Sequence, residues 1–260
     1  MVWGRLAWGR GHPARAPRRA GDVPVRVKTS VGEGRDLAGA VVFAVMAKAP
    51  LVGAVKTRLA GTLGAAAATD LYARFLADTL AVARLVDGAQ VRVVCPDDDH
   101  RRALREVVHP DVAVEAQAEP GLMAGLAWAL SSHLRRGAAK VLLIDADSPT
   151  LPASILREAI AALERADLCV GPCPDGGYYL IGARRECPGL FDGVVASAAS
   201  TLDQTLDRAR KQKLATAVLA PWPDVDTPKD FAALVAFLRP RRDVAAASRG
   251  WLVANGWLEA

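Results

Sequence analysis

Lys140-Val141-Leu142-Leu143-Ile144-Asp145-Ala146-Asp147-Ser148-Pro149 is the stretch on which the fold turns. Val141 to Ile144 form an unbroken aliphatic run. A run this short, ended by turn-forming residues, is the pattern of a strand buried on both faces. It opens directly onto two carboxylates spaced two apart. A buried strand that delivers paired carboxylates to its end suits a divalent cation carrying phosphates, since hard oxygen ligands bind Mg²⁺ and Mn²⁺. The competing reading is local: Asp147 or Ser148 caps the helix that starts at Pro152.

Working outward, the same kind of run recurs at Val41–Met46, where it ends in Lys48-Ala49-Pro50. Shorter strands are expected at Gln90–Cys95, Val112–Glu115, Asp167–Val170, Tyr178–Gly182 and Leu214–Leu219. Helical periodicity is expected between them. Ala65–Val86 aligns Leu71, Phe75, Thr79, Val82 and Val86 on one face. Asp97-Asp98-Asp99 opens a second helix, because acidic groups suit the N-terminal dipole. Further helices are expected at Leu122–Leu134, Pro152–Arg165, Ser200–Lys213 and Lys229–Leu238. Strands alternating with helices imply a mostly parallel sheet covered on both faces. Ligands in such sheets bind outside the carboxyl ends of the strands. The unusual polar motifs all fall at that edge, which argues for one active site.

The chain has 260 residues and 52% hydrophobic content, enough for one large α/β domain or two small ones. It has no apolar stretch of about 18 residues, so no membrane partner is expected. Residues 1–38 carry eight basic side chains (Arg5, Arg10, Arg15, Arg18, Arg19, Arg26, Lys28, Arg35) against Asp22, Glu33 and Asp36, a net of +5 that equals the whole chain's +5. The remainder is neutral and has no bulk charge to recruit nucleic acid. Residues 1–37 lack periodicity and read as a basic, disordered tail without a secretory signal. Cys95, Cys169, Cys173 and Cys187 show neither CxxC nor zinc spacing, which suits reduced thiols in the cytoplasm. His12, His100, His109 and His133 have no partner pattern and read as surface or incidental residues. GxSxG, HExxH and GxGxxG are all absent.

Four further segments could carry chemistry. Lys48 to Leu59 sets Lys48, Lys56 and Arg58 around a Pro/Gly loop after the first strand, where backbone N–H groups and cations can hold an anion; otherwise it is a solvated loop. Asp224-Val225-Asp226-Thr227-Pro228 either lends a carboxylate to the metal or simply caps the final helix, and by itself favours the cap. Gly171 to Tyr179 either lets a substrate approach the backbone or makes an Asp-Gly hairpin turn. Cys173 lies in it without a histidine to activate it. Glu119 to Leu126 either docks a base or ribose at Gly121 or is a plain loop-to-helix turn.

Together, MAKAPLVGAVKTRLA, LLIDADSPTLP, GPCPDGGYYLIG and DVDTPKDF, in that order, resemble the DUF2064 family, the transferases associated with radical-SAM/selenodomain proteins. The chain is more distantly similar to 2-phospho-lactate guanylyltransferases and molybdenum-cofactor nucleotidyltransferases. The resemblance spans about Val41 to Leu238. It implies a GT-A-like fold over residues 38–239, with 240–260 as a C-terminal helical appendix. It implies metal ligation by Asp147 and Asp226, assisted by Asp145 or Asp224, with Mg²⁺ or Mn²⁺ as the ion. It implies nucleotide contacts from Lys48, Pro50, Lys56, Thr57, Arg58 and Gly121, and an acceptor pocket shaped by Asp175, Gly176, Gly177 and Tyr178. Lys48, Lys56, Arg58 and Asp147 are the expected catalytic set.

The expected activity is nucleotidyl transfer from an NTP to a small phosphate- or phosphonate-type acceptor, because three cations suit a triphosphate. A glycosyltransferase using an NDP-sugar is the alternative, and a non-catalytic nucleotide-binding protein the lesser one. The partners expected are a nucleotide and a small acceptor.

Overall fold

The computed structural model describes residues 36–259; of the tail expected over residues 1–37, all but Asp36 and Leu37 lies outside them. The elements run β1 Val41–Met46, α1 Thr57–Leu63, α2 Ala65–Ala83, β2 Ala89–Cys95, α3 Asp98–Val107, β3 Ala113–Ala116, α4 Leu122–Arg135, β4 Lys140–Asp145, α5 Ala153–Ala162, β5 Leu168–Pro172, β6 Tyr178–Ala183, α6 Thr201–Lys211, β7 Thr216–Val218, α7 Pro228–Leu238 and α8 Ala246–Ala254.

The sheet has seven strands in the order β3-β2-β1-β4-β6-β5-β7. β6 alone runs antiparallel, to both β4 and β5. The expected mostly parallel α/β architecture is what forms. β4 is central and buried because Val141 to Ile144 can pack on both faces. Val141 and Leu143 face α4 and α6 together with Val42 and Ala44. Leu142 and Ile144 face α5 together with Phe43.

Strand order reverses between β1 and β4. From β1 the chain steps outward to β2 and β3, then returns to place β4 on β1's other side. The two strands are in parallel register from Val41 opposite Lys140 to Met46 opposite Asp145. Loops leaving such a pair diverge, and the crevice between them is where open α/β sheets bind ligands.

Three local expectations change. Thr57–Leu63 forms α1, so Arg58 and Leu59 are helical rather than part of the loop. Asp36 and Leu37 belong to the packed fold: Leu37 is fully buried and the Asp36 carboxylate pairs with Arg136 at 2.7 Å. Residues 246–254 are more than an appendix, because Trp251 and Leu252 are buried against α2 and α7. Helix α2 therefore carries two apolar stripes. Tyr72, Leu76 and Leu80 meet the sheet side, while Leu71 and Phe75 meet the C-terminal helices.

Candidate active site

The loop after β1 is pinned by a helix beneath it. The Tyr72 hydroxyl of α2 accepts from the Lys48 backbone N–H at 3.1 Å and donates to the Lys48 carbonyl at 3.2 Å. This fixes the strand exit and leaves the Lys48 side chain exposed. Leu51 to Ala54 then form a tight turn closed by the Ala54 N–H to Leu51 carbonyl bond at 3.0 Å. Gly53 supplies the positive φ of 82° that the turn requires. Pro50 is half-buried and Thr57 exposed.

Lys56 closes the loop in the left-handed region, at φ 49° and ψ 40°, as the residue before α1. A non-glycine residue there costs on the order of 1 kcal/mol. What holds it is charge. Its ammonium, with the side chain only 3% exposed, lies 2.7 Å from Asp147 Oδ1 and 3.3 Å from Asp226 Oδ1. Arg58, in the first turn of α1, pairs with Asp226 Oδ2 at 2.8 Å. Burial pulls the Lys56 pKa down, but Asp147, Asp226 and Asp145 outweigh it and the net shift is upward.

The loop after β4 is shaped by its own first carboxylate. Asp145 accepts from the N–H groups of Asp147 at 3.2 Å and Ser148 at 3.1 Å, and from the Ser148 hydroxyl at 3.1 Å. This aims the Asp147 carboxylate at Lys56. Burial, then the charges of Asp147 and Asp224, hold the Asp145 pKa well above the usual carboxylate range.

Residues 219–227 cross the ends of β4 and β5, tied there by Leu219 N–H to Val170 O, Trp222 N–H to Pro172 O and Val225 N–H to Asp147 O. The Trp222 indole donates to Thr150 Oγ1 at 3.2 Å. This path delivers Asp224 and Asp226. Burial raises the Asp224 pKa to about 6, with Asp175 and Asp147 adding to it. Thr227 caps α7, and the capping box with Asp230 is complete. The capping reading of this motif is met by Thr227, while Asp226, the residue before it, pairs with Lys56 and Arg58.

Gly171 to Tyr179 includes the β5–β6 hairpin turn, as the local reading required. The Gly176 N–H bonds to Cys173 O at 3.2 Å and the Cys173 N–H to Gly177 O at 3.0 Å. Gly176 has φ 92°, and a Cβ there would meet the Ala199 carbonyl oxygen at 2.0 Å. Asp175 accepts from the Gly177 N–H at 2.8 Å. Ligand atoms of Cys173, Asp175 and Asp224 lie within 4.8 Å of one another, so the buried Cys173 thiol belongs to the acidic end of the site. Nothing in the sequence signals this placement: Cys173 shows no zinc spacing and no histidine to activate it, and reads there as a reduced thiol. Tyr178 approaches Met123 Sδ at 4.0 Å, which joins the β6 side of the site to the start of α4. Gly121 precedes α4 at φ 100°, and Gln117 closes that loop by donating to the carbonyls of Glu119 and Gly121.

The structure thus gathers Lys56, Arg58, Asp145, Asp147, Asp224 and Asp226, with Asp175 beside them. It leaves Lys48, Pro50 and Gly121 on loops, and Thr57 at the start of α1, without a bond to the carboxylates among the described residues. Two carboxylates converging on one buried cation form a donor set that a divalent ion can use, with the Lys56 ammonium as the stand-in. Away from the site, one expectation is corrected. His133 is fully buried, with Nε2 3.1 Å from Glu115 Oε2 and Nδ1 2.6 Å from the Ala129 carbonyl. It sits at i+4 from Ala129 on the sheet-facing side of α4, which brings its ring onto β3.

Among proteins of known sequence, residues 79–198 match the family described as "Uncharacterized protein conserved in bacteria (DUF2064)". A 112-residue stretch is 34% identical to phosphoenolpyruvate guanylyltransferase of Mycolicibacterium smegmatis (strain ATCC 700084 / mc(2)155), covering 42% of this chain and 49% of that protein. The chain therefore matches about half the length of this relative. The structure of a "putative nucleotide-diphospho-sugar transferase" from Desulfovibrio desulfuricans G20 superposes with a TM-score of 0.78 at 28% identity, over 84% of this chain and 96% of that one. Rv0371c of Mycobacterium tuberculosis H37Rv shares the fold at a TM-score of 0.51 and 20% identity, over 76% and 98%. The match over residues 79–198 takes in LLIDADSPTLP and GPCPDGGYYLIG, two of the four motifs on which the resemblance to that family rests.

Proposed function

We propose that this chain is a metal-dependent nucleotidylyltransferase that moves an NMP group from an NTP to a small phosphate- or phosphonate-type acceptor, releasing pyrophosphate. The observation that carries the reading is the convergence of Lys56 and Arg58 on Asp147 and Asp226 at the β1/β4 crevice. Cations there face incoming phosphates, and the carboxylates face the ion that accompanies them. The guanylyltransferase relative supports the reaction class and puts GTP first among the nucleotides to test.

In this reading Asp147 and Asp226, assisted by Asp145 or Asp224, hold Mg²⁺ or Mn²⁺. Bound there, such an ion would supply charge neutralisation for the phosphates. The acceptor oxygen bonds to the α-phosphorus as the bond to the β-phosphate oxygen breaks. Lys48, Lys56 and Arg58 would neutralise the triphosphate, and Pro50, Thr57 and Gly121 would line the nucleotide. Such catalysis is positioning plus electrostatics. Asp175, Gly176, Gly177 and Tyr178 would border the acceptor, where the hairpin backbone can approach closely.

A glycosyltransferase using an NDP-sugar is the second reading, favoured by the Desulfovibrio structure. A thermal-shift panel at fixed Mg²⁺ separates the two, since a ligand that binds only the native state raises Tm. An Mg²⁺-dependent rise with one NTP, together with pyrophosphate release, is expected. A rise with UDP-, GDP- or dTDP-sugars and none with NTPs would give the second reading. Unchanged biological function in Asp147→Asn would give a non-catalytic nucleotide-binding protein.

A further inference from the structure

We infer that Lys56 is a built-in counter-ion that keeps the cation position between Asp147 and Asp226 closed to free metal, so that metal enters together with phosphate. The inference rests on the metal-dependent reading above and concerns what the protein does before the nucleotide arrives.

The ammonium is placed as a metal would be. It contacts one oxygen of each carboxylate, at 2.7 Å and 3.3 Å, with its side chain 3% exposed. The Phe75 ring centroid lies 5.8 Å from the ammonium, and the Lys56 backbone is held in the left-handed region. A divalent ion bound to the same oxygens at about 2.1 Å would sit against Nζ as a like charge. The two cations cannot share the place, so the ammonium must leave it.

Where it can go decides the order of events. The Phe75 ring offers no oxygen acceptor, and an uncompensated buried ammonium is strongly disfavoured. Free metal that displaced Lys56 would leave it in that condition. A triphosphate supplies anionic oxygens at the same edge, so a metal–nucleotide complex brings the partner that Lys56 needs. Arg58 differs. Its side chain is 66% exposed and, among the described residues, pairs with Asp226 alone, so water can take over its solvation.

The test is Mn²⁺ binding to the full chain without nucleotide, read from the free-ion electron paramagnetic resonance signal. Lys56→Met is expected to bind Mn²⁺ about tenfold or more tightly than the wild type. Arg58→Met, which removes the same charge from an exposed position, is expected to stay within about threefold. A reciprocal arm uses tripolyphosphate in metal-free buffer: Asp147→Asn, which releases Lys56, should bind it more tightly than the wild type. This arm stands if Lys56→Met fails to fold. Equal Mn²⁺ affinity in Lys56→Met and wild type, or equal gains in the two lysine and arginine variants, would overturn the counter-ion role and leave the metal site standing. No Mn²⁺ on any of the proteins would overturn the metal reading, and this inference with it.

Discussion

Lys56 and Asp147 show how much one contact can organise. Lys56 adopts a strained backbone, Asp147 leaves a buried strand, and the 2.7 Å pair between them joins the two loops of the crevice. Removing one partner of such a pair strands the other. Asp147→Asn is expected to lower turnover by about two orders of magnitude or more, with the fold retained; steady-state pyrophosphate release beside a circular-dichroism melt checks both parts. Gly176 is the sharper steric case. A Cβ there would lie 2.0 Å from a backbone carbonyl oxygen, in a conformation that L side chains rarely adopt. Gly176→Ala should cost on the order of 2 kcal/mol in urea unfolding. A stability within experimental error of the wild type would mean that the hairpin has room to yield.

At the scale of elements, two helix starts connect the C-terminal third to the rest. Thr227 and Asp230 make the capping box of α7, and the Asp230 carboxylate also accepts from the Asp226 N–H at 3.3 Å. Thr227→Ala should therefore cost about 1 kcal/mol of stability and weaken nucleotide binding through Asp226; denaturant midpoints and ligand-induced Tm shifts report the two effects separately. Helix α8 has no side-chain cap of its own. Asp78 of α2 does that work across the packing interface, accepting from the N–H groups of Ala247 at 2.9 Å and Ser248 at 2.8 Å and from the Ser248 hydroxyl at 2.6 Å. Asp78→Ala leaves three donors without an acceptor and is expected to cost about 2–3 kcal/mol. Hydrogen exchange should show the loss first at residues 246–254. Uniform loss of protection across the chain would place Asp78 in the global core instead.

At the scale of the molecule, Glu115 ties β3 to β2 and α4. Its carboxylate meets Arg92, Arg136 at 3.0 Å and 3.2 Å, and His133 at 3.1 Å. Asp36, just before β1, joins the same two arginines. Burial works against the Glu115 charge, but His133 and then Arg136 prevail, and its pKa falls from 4.5 to about 2. A carboxyl group whose pKa is lower in the folded state stabilises the fold above its unfolded pKa. That contribution, on the order of 3 kcal/mol, is full above about pH 4.5 and is lost as pH falls towards 2. Glu115→Gln should flatten the acid limb of the stability profile; urea midpoints at about pH 7, 4 and 3 check this. An unchanged slope would assign the acid sensitivity to other groups.

Much of the fold and part of the site were legible in the sequence. An aliphatic run such as Val141 to Ile144 has one stable use, and its alternation with amphipathic helices leaves few topologies. The same logic put Asp145, Asp147 and the Lys48–Arg58 segment at the carboxyl edge, because chain order alone sets which residues leave the end of a strand. Local signals misled where two readings coexist. Thr227 caps a helix while Asp226 faces the cations, and Gly176 makes a hairpin turn beside the acidic cluster. Other features had no local signal at all. The Tyr72 clamp on Lys48, Cys173 beside Asp224, the burial of His133 on Glu115 and the capping of α8 by Asp78 all join residues distant in sequence. Periodicity tells which face of an element is buried, not which element covers it. The sequence by itself determined the layers and the edge where ligands bind. Only the tertiary structure decided that Lys56 rests between Asp147 and Asp226, because 91 and 170 residues of chain separate it from its partners and packing alone brings them within ion-pair distance.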